Sequence, residues 1–392
     1  MPVDLDARLD PTLAPADLED RQRPARDPRP ALCLSGGGYR AMIFHVGALW
    51  RLNELGWLPK LGRVSSVSGG SITAGVLGLA WKDLGFEHGV ARGFEEKVVQ
   101  PLRKMAGTGV DVSAVLVGAA LPFVSISDRV ADAYEEHLFG KATLRDLPRD
   151  EEGPRFVINA TSVQTGALFR FSRPYVADYH VGRFLDPDVR LADAVTASSA
   201  FPPFLSPAEL SLGKLRYDEG SGDAAYAEFR DRAVLTDGGV YDNLGLETAW
   251  KRHDMLLVSD GGGAMGADES PAHDWVRHVV RVLNVIDNQV RSLRKRMLVG
   301  AFEARVRSGT YWGIRTNLAD YPTPGPISVP HDRSLLLANE PTRLAKMAPQ
   351  VQERLVNWGY VVCDVAMRSH VLSPQEVSAA PAPKLPYLRA GI

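Results

Sequence analysis

Two short apolar runs in this chain end in glycines, and each leads at once into a helical pattern. Leu32-Cys33-Leu34-Ser35 runs into Gly36, Gly37 and Gly38, and Val64-Ser65-Ser66-Val67-Ser68 runs into Gly69 and Gly70. A strand that turns sharply into a helix passes through backbone conformations that a Cβ penalises, which is why glycine gathers there. Two such junctions so close together require strand–turn–helix units, and they exclude an all-helical or an all-β chain.

The pattern continues along the chain. Ile43, Val46, Leu49 and Leu52 recur at helical spacing after the first glycines, and Gly56 follows as a stop. "RVSSVS" reads as the next strand and "GSITAGVLGLAWKDL" as the next helix. "RFVINAT" and "ALFRFS" read as strands joined by a turn at Gln164, Thr165 and Gly166, and "AVLTDGG" and "MLLVSDGG" as strands ending in Asp-Gly. A long helix covers "WVRHVVRVLNVIDNQVRSLRKRMLVGAFEARV", and another lies near "TRLAKMAPQVQERLVNWGYVVCDVAMRS". Alternation of this kind predicts helices on both faces of a mainly parallel sheet.

Residues 1–30 are rich in Pro, Asp and Arg without periodicity and read as a flexible N-terminal segment; 31–371 form one domain; 372–392, with "SPQEVSAAPAPKLP", read as a flexible tail unable to sustain a helix. The net charge of −2 excludes a protein-wide nucleic-acid footprint. No run is long and apolar enough for a transmembrane helix, and residues 1–30 hold no apolar signal core. With Cys33 and Cys363 as the only cysteines, a cytoplasmic location is expected. No Cys/His cluster or EF-hand-like acidic loop points to a metal, and no cofactor is expected.

Ser68 stands at a strand end before two glycines and a helix, the setting of a nucleophile elbow, in which a strained turn exposes a serine hydroxyl. The same pattern also serves as a simple N-cap. At Gly36, Gly37 and Gly38, converging amides suit an anion or an oxyanion, with the charge of Arg40 nearby. No Gly-Lys-Ser/Thr follows, which removes a Walker-type phosphate loop. A serine needs a base. His253, His273 and His278 leave a histidine triad open, while Asp237 and Asp260 both end apolar strands in front of glycines, and spacing does not choose between them.

"SGGGYRA", "SVSGGS", "INATSVQTGALFRFS", "AVTASSAFPPFLSP" and "TDGGVYDNLG", in that order, resemble the patatin-like phospholipase family of bacteria, in the subgroup with an SVSGGS elbow, over about residues 30–370. The resemblance implies a three-layer α/β/α fold with a mainly parallel central sheet. It implies a Ser–Asp dyad without histidine, with Ser68 as nucleophile and Asp237, in the motif before "VYDN", as base. Gly36, Gly37 and Gly38 with Arg40 correspond to the family's oxyanion loop, and Asp260 takes a structural place. Ser66 stands where the elbow usually has its first glycine, and Ala41 where a glycine often follows the arginine. In a dry pocket an aspartate's charged form is disfavoured, which strengthens it as a base.

The implied substrate is an acyl ester of a phospholipid, lysophospholipid or acylglycerol, met at a membrane or lipid aggregate by a peripherally associating protein. The sequence does not specify an oligomeric state. Residues 110–126 are apolar but interrupted, and fit either an acyl-chain wall or a buried helix; "AVTASSAFPPFLS" fits pocket lining or packing. On the long helix, Val279, Leu283, Ile286, Val290, Leu293 and Met297 form the expected buried stripe, and its arginines a solvated face. A histidine-triad esterase of small esters and a non-catalytic lipid- or phosphate-binding module are the competing readings.

Overall fold

The structure, a computed structural model, describes residues 26–392 apart from 109, 111–125, 204, 264 and 324. The expected flexible segment therefore lies almost wholly outside the described residues, as do the apolar run at 111–125 and Phe204 of the proline-containing block. An 11-stranded mixed sheet forms the middle layer. Its strands are β1 (Ala31–Leu34), β2 (Arg63–Val67), β3 (Arg155–Ser162), β4 (Leu168–Phe171), β5 (Tyr175–Asp178), β6 (Gly182–Leu185), β7 (Ala208–Ser211), β8 (Arg216–Tyr217), β9 (Arg232–Asp237), β10 (Met255–Asp260) and β11 (Ser308–Gly313). Their order is β8-β6-β5-β4-β3-β2-β1-β10-β11, with β9 joined to β3 and β7. From β3 to β11 neighbours run parallel, and from β3 to β8 antiparallel.

Side chains alternate across the sheet as a pleat demands. In β1, Leu32 and Leu34 enter the larger core, while Ala31 and Cys33 enter a second core with Leu244, Trp250 and Leu298. The larger core is covered by α1 (Gly38–Glu54), α2 (Gly69–Ala80), α3 (Leu191–Ser198) and, outside α1, α6 (Pro349–His370). The opposite face is covered by α4 (Gly239–Asp242), the segment after it, and α5 (Trp275–Glu303). This is the three-layer α/β/α arrangement expected. α1 ends as expected at Gly56, whose φ of 68° suits a helix stop. It is buried on nearly every side because α6 crosses it at glycines: a Cβ at Gly47 would stand 1.9 Å from Val356 O, and one at Gly359 2.0 Å from Phe44 O.

Two expectations need correcting. The tail does form a helix, α7 (Pro374–Ala379), because Ser373 and Glu376 build a capping box and a proline at the first turn costs no hydrogen bond. The residues beyond it are tied down by Arg51 to Pro381 O at 2.7 Å and by Asn357 to Tyr387 O at 2.9 Å. In α5 most of the stripe faces the other way: Val279, Leu283, Ile286 and Leu293 are exposed and Val290 is half-buried, while Met297 packs against the second core. The cause is electrostatic. Arg294 turns inward to Glu247 at 3.4 Å and Asp242 at 3.6 Å, and Arg291 to the carbonyl of Gly263, which rolls the apolar strip off the sheet.

Candidate active site

Strand pairing alone brings Ser68 and Asp237 together. β2 climbs one edge of β3 until Val67 pairs with Asn159, and the chain then turns away at Ser68. β9 descends the same edge in the opposite direction and ends where Asp237 pairs with Ala160, the next residue of β3. Because β4 occupies the other edge, the ends of β2 and β9 meet head to head. Across this gap the Ser68 side chain faces the Asp237 carboxyl, near enough to favour its charged form. Asp237 Oδ1 accepts from the Gly239 amide at 2.7 Å.

Asp237 is 2% exposed, and burial pushes its pKa up to about 7 although the Gly239 amide and the Ser68 side chain both favour its charged form. The negative charge of Asp287 on α5 adds to the rise. Ser68 itself is half-buried.

The elbow is strained, with Ser68 at φ 51° and ψ −122°, a combination that a side chain ordinarily avoids. Surrounding hydrogen bonds hold it there. The Ser68 amide donates to Ser198 Oγ at 2.9 Å, and Ser198 Oγ donates to Asn159 O at 2.6 Å. Ser71 Oγ lies 2.9 Å from Ser198 Oγ and 3.0 Å from Ser66 Oγ. Ser66, at the position of the usual glycine, is thus a buried member of a serine chain that also reaches Val157 O. Sequence reasoning gave no role to Ser198, Ser71 or Asn159, although Asn159 and Ser198 sit in "INAT" and "TASSAF".

The two glycine turns touch each other. A Cβ on Gly69 would stand 2.1 Å from Gly38 O, and one on Gly70 2.4 Å from Leu34 O, so these positions require glycine for close approach of backbone to backbone. Gly37 and Gly38 have φ values of 140° and 60°. No described residue accepts from the amides of Gly37, Gly38 or Gly69, which therefore remain available beside Ser68. Gly36 differs. Its amide is engaged by Asn243 O at 3.0 Å, and what its position requires is bareness, since a Cβ would meet Asn243 Oδ1 at 2.3 Å and Ser68 Cβ at 3.2 Å.

Arg40 is buried behind the loop, donating to Gly261 O at 3.1 Å and to Glu340 O. His45, which sequence reasoning passed over, underlies the loop: its Nε2 is 2.9 Å from Ser35 O and its Nδ1 2.8 Å from Ser259 Oγ. Trp312 Nε1 donates to that same Ser259 oxygen, which directs the serine proton to Nδ1 and leaves Nε2–H for Ser35.

The family model for patatin-like phospholipase matches residues 32–250, a span that holds both glycine turns, the elbow and Asp237. The chain belongs to the patatin-like phospholipase family. Among solved structures it is similar to human GIVD cytosolic phospholipase A2 in complex with methyl γ-linolenyl fluorophosphonate and terbium chloride, at 15% identity over 93% of this chain and 62% of that one, with a TM-score of 0.49. It is also similar to VipD from Legionella pneumophila, at 15% identity over 91% of this chain and 67% of that one, with a TM-score of 0.34. The chain spans about half to three-fifths of the length of the human phospholipase chains. No curated protein matches it.

Within this patatin-like domain the other candidates fall elsewhere. His253 is buried beside Arg63, at the opposite end of β2 from Ser68; its Nδ1 is 2.8 Å from Arg29 O, and burial pushes its pKa down to about 4. His273 and His278 are exposed around the start of α5. Asp260 accepts from Tyr311 at 2.7 Å and from the Gly262 amide at 2.9 Å. Among the described residues no group of three His, Cys, Asp or Glu could hold a metal ion, and no helix is long and apolar enough to cross a membrane.

Proposed function

We propose that this protein is a serine acyl hydrolase that cleaves acyl esters of lipids through a Ser68–Asp237 dyad and an acyl-enzyme intermediate. The observation that carries the reading is the meeting, at neighbouring positions along one edge of β3, of a half-buried serine on a strained turn and a buried aspartate whose pKa stands at about 7. Family membership supports a phospholipid, lysophospholipid or acylglycerol as the ester.

In this mechanism Asp237 takes the Ser68 proton as Oγ attacks the carbonyl carbon. The oxygen that becomes negative is met by the amides of Gly37, Gly38 and Gly69, the last at the positive end of α2. Collapse breaks the bond to the alcohol, which leaves with the proton held by Asp237. A water then gives its proton to Asp237 and attacks the acyl carbon, and Ser68 departs with that proton. A carboxylate at its ordinary pKa would hold the proton too weakly, and burial corrects this. Two buried free thiols, Cys33 and Cys363, support a cytoplasmic site of action, at the periphery of a membrane.

The test is labelling with a fluorophosphonate probe followed by peptide mapping. Label on Ser68, absent from Ser68→Ala, is expected, together with loss of ester hydrolysis. Binding of lipid without any covalent labelling would favour the non-catalytic module instead. Label on another serine, or activity abolished by His253→Ala in a folded protein, would overturn the dyad.

A further inference from the structure

α5 buries Leu298 and Ala301 near its C-terminal end, yet earlier along it the large apolar side chains stand in solvent. Trp275 is 78% exposed, Ile286 53% and Leu293 57%. At 100° per residue, Trp275, Val279, Val282, Ile286 and Leu293 fall on one strip, about a third of a turn from the strip through Asp287, Arg291, Arg294 and Leu298 that faces the protein. Leaving so much apolar side chain in water is unfavourable unless another apolar phase takes it up.

The strip lies close to the dyad. Arg294, on the protein-facing strip of the same helix, reaches Tyr241 O at 3.3 Å and Asp242 at 3.6 Å on α4, which follows Asp237, and Asp287 on that strip acts on Asp237 through its charge. Val240, 47% exposed, follows the glycine whose amide holds Asp237, and Phe201, 44% exposed, follows the residue whose carbonyl accepts the Asp237 amide. The helix is also basic: α5 carries six Lys or Arg residues against two acids in a chain of net charge −2, and Arg296 is exposed next to the strip.

We propose that the apolar strip of α5, with Val240 and Phe201, is the face on which this protein lies against an anionic phospholipid bilayer, holding the dyad at the lipid surface. The inference rests on the acyl hydrolase reading above. An amphipathic helix with Trp, Leu and Ile on one side and cations beside them seats its apolar face at the headgroup boundary. The basic residues complement an anionic surface, whereas pairing this helix with a second copy would set like charges together. A protein partner here would also cover the approach that a lipid ester needs.

The experiment uses the full chain carrying Ser68→Ala, so that lipid is not consumed, in flotation with mixed phosphatidylglycerol/phosphatidylcholine vesicles. Binding is expected, falling tenfold or more when Ile286→Asp and Leu293→Asp are added, and falling less with Arg296→Glu. In the Ser68-containing protein the same apolar pair should leave hydrolysis of a monomeric, water-soluble ester unchanged while hydrolysis of vesicle lipid drops tenfold or more. Vesicle binding indifferent to Ile286→Asp and Leu293→Asp overturns the docking face, as does a lipid-free dimer that those substitutions dissociate without altering vesicle binding. Failure of the wild-type protein to hydrolyse even the soluble ester would instead count against the hydrolase reading.

Discussion

Two strands of the sheet end in Asp-Gly-Gly, and in both the aspartate curls back onto the amide two residues on: Asp237 onto Gly239 at 2.7 Å, Asp260 onto Gly262 at 2.9 Å. Both side chains are buried. The difference lies in what the strand order sets beside each carboxyl. Asp260, on β10 between β1 and β11, meets the Tyr311 hydroxyl. Asp237, on β9, meets a serine at the end of a strand that shares its edge of β3. Identical local chemistry thus faces a serine in one place and a tyrosine in the other, and the choice is made by pairings between segments far apart in the chain.

The sharpest way to break this comparison is to neutralise each aspartate in turn. Asp237→Asn is expected to lower kcat on a soluble ester by about 10²–10⁴, the range for removing a general base. Asp260→Asn should stay within about tenfold of wild type. Equal losses from the two would mean that the second aspartate belongs to the reaction after all. The pH dependence gives a companion test. Because the base must be unprotonated, kcat/KM of the wild-type protein should rise through a midpoint near pH 7, where Asp237 loses its proton, and Asp260→Asn should keep that midpoint.

The two members of the proposed dyad stand out in the sequence by different routes, and the difference is instructive. Ser68 announces itself locally, since strand, serine, two glycines and helix are adjacent in the chain. Asp237 does not. Taken by themselves "LTDGG" and "VSDGG" are equivalent, and family resemblance was needed to separate them. The order of helices and strands was legible because apolar periodicity is a short-range signal. The rolling of α5 was not, because the carboxylates that draw in Arg294 come from Asp242 and Glu247, remote in sequence. Gly36, Gly37 and Gly38 look alike in the sequence, yet only the folded chain brings Asn243 to the amide of Gly36 and leaves the other two open.

Stability should part the two aspartates in opposite directions. In the unfolded chain Asp237 ionises near its ordinary value, whereas the folded protein holds its proton until about pH 7. Its contribution to stability is therefore complete below about pH 4 and is lost as the pH rises toward 7. Asp237→Asn removes the buried charge, so at pH 8 the variant should be more stable than wild type by on the order of 1–3 kcal/mol, with little gain at pH 4. Asp260→Asn replaces one accepting oxygen with a donating NH2, leaves either the Tyr311 hydroxyl or the Gly262 amide without its acceptor, and should be destabilised by about 1–3 kcal/mol at pH 8. Thermal melts of both at the two pH values decide it; a destabilised Asp237→Asn at pH 8 would remove the argument that burial of charge tunes the base.

A smaller effect on the Asp260 side sharpens the contrast further. Tyr311→Phe deletes the one hydroxyl that meets Asp260 Oδ2 and leaves that buried oxygen without its donor, at a cost of about 1–2 kcal/mol in chemical denaturation. Its effect on kcat is expected to be less than about threefold, because β10 does not border β9. There is one physical route by which it could be larger. The Gly261 amide donates to Ser35 Oγ at 2.9 Å, and Arg40 donates to Gly261 O, so the Asp260 turn braces the glycine loop beside Ser68. If Tyr311→Phe lowers kcat by tenfold while KM and the pH midpoint hold, the turn is transmitting its position to the loop amides. In that case the two Asp-Gly-Gly ends would be coupled parts of one site, one moving the proton and the other aiming the donors.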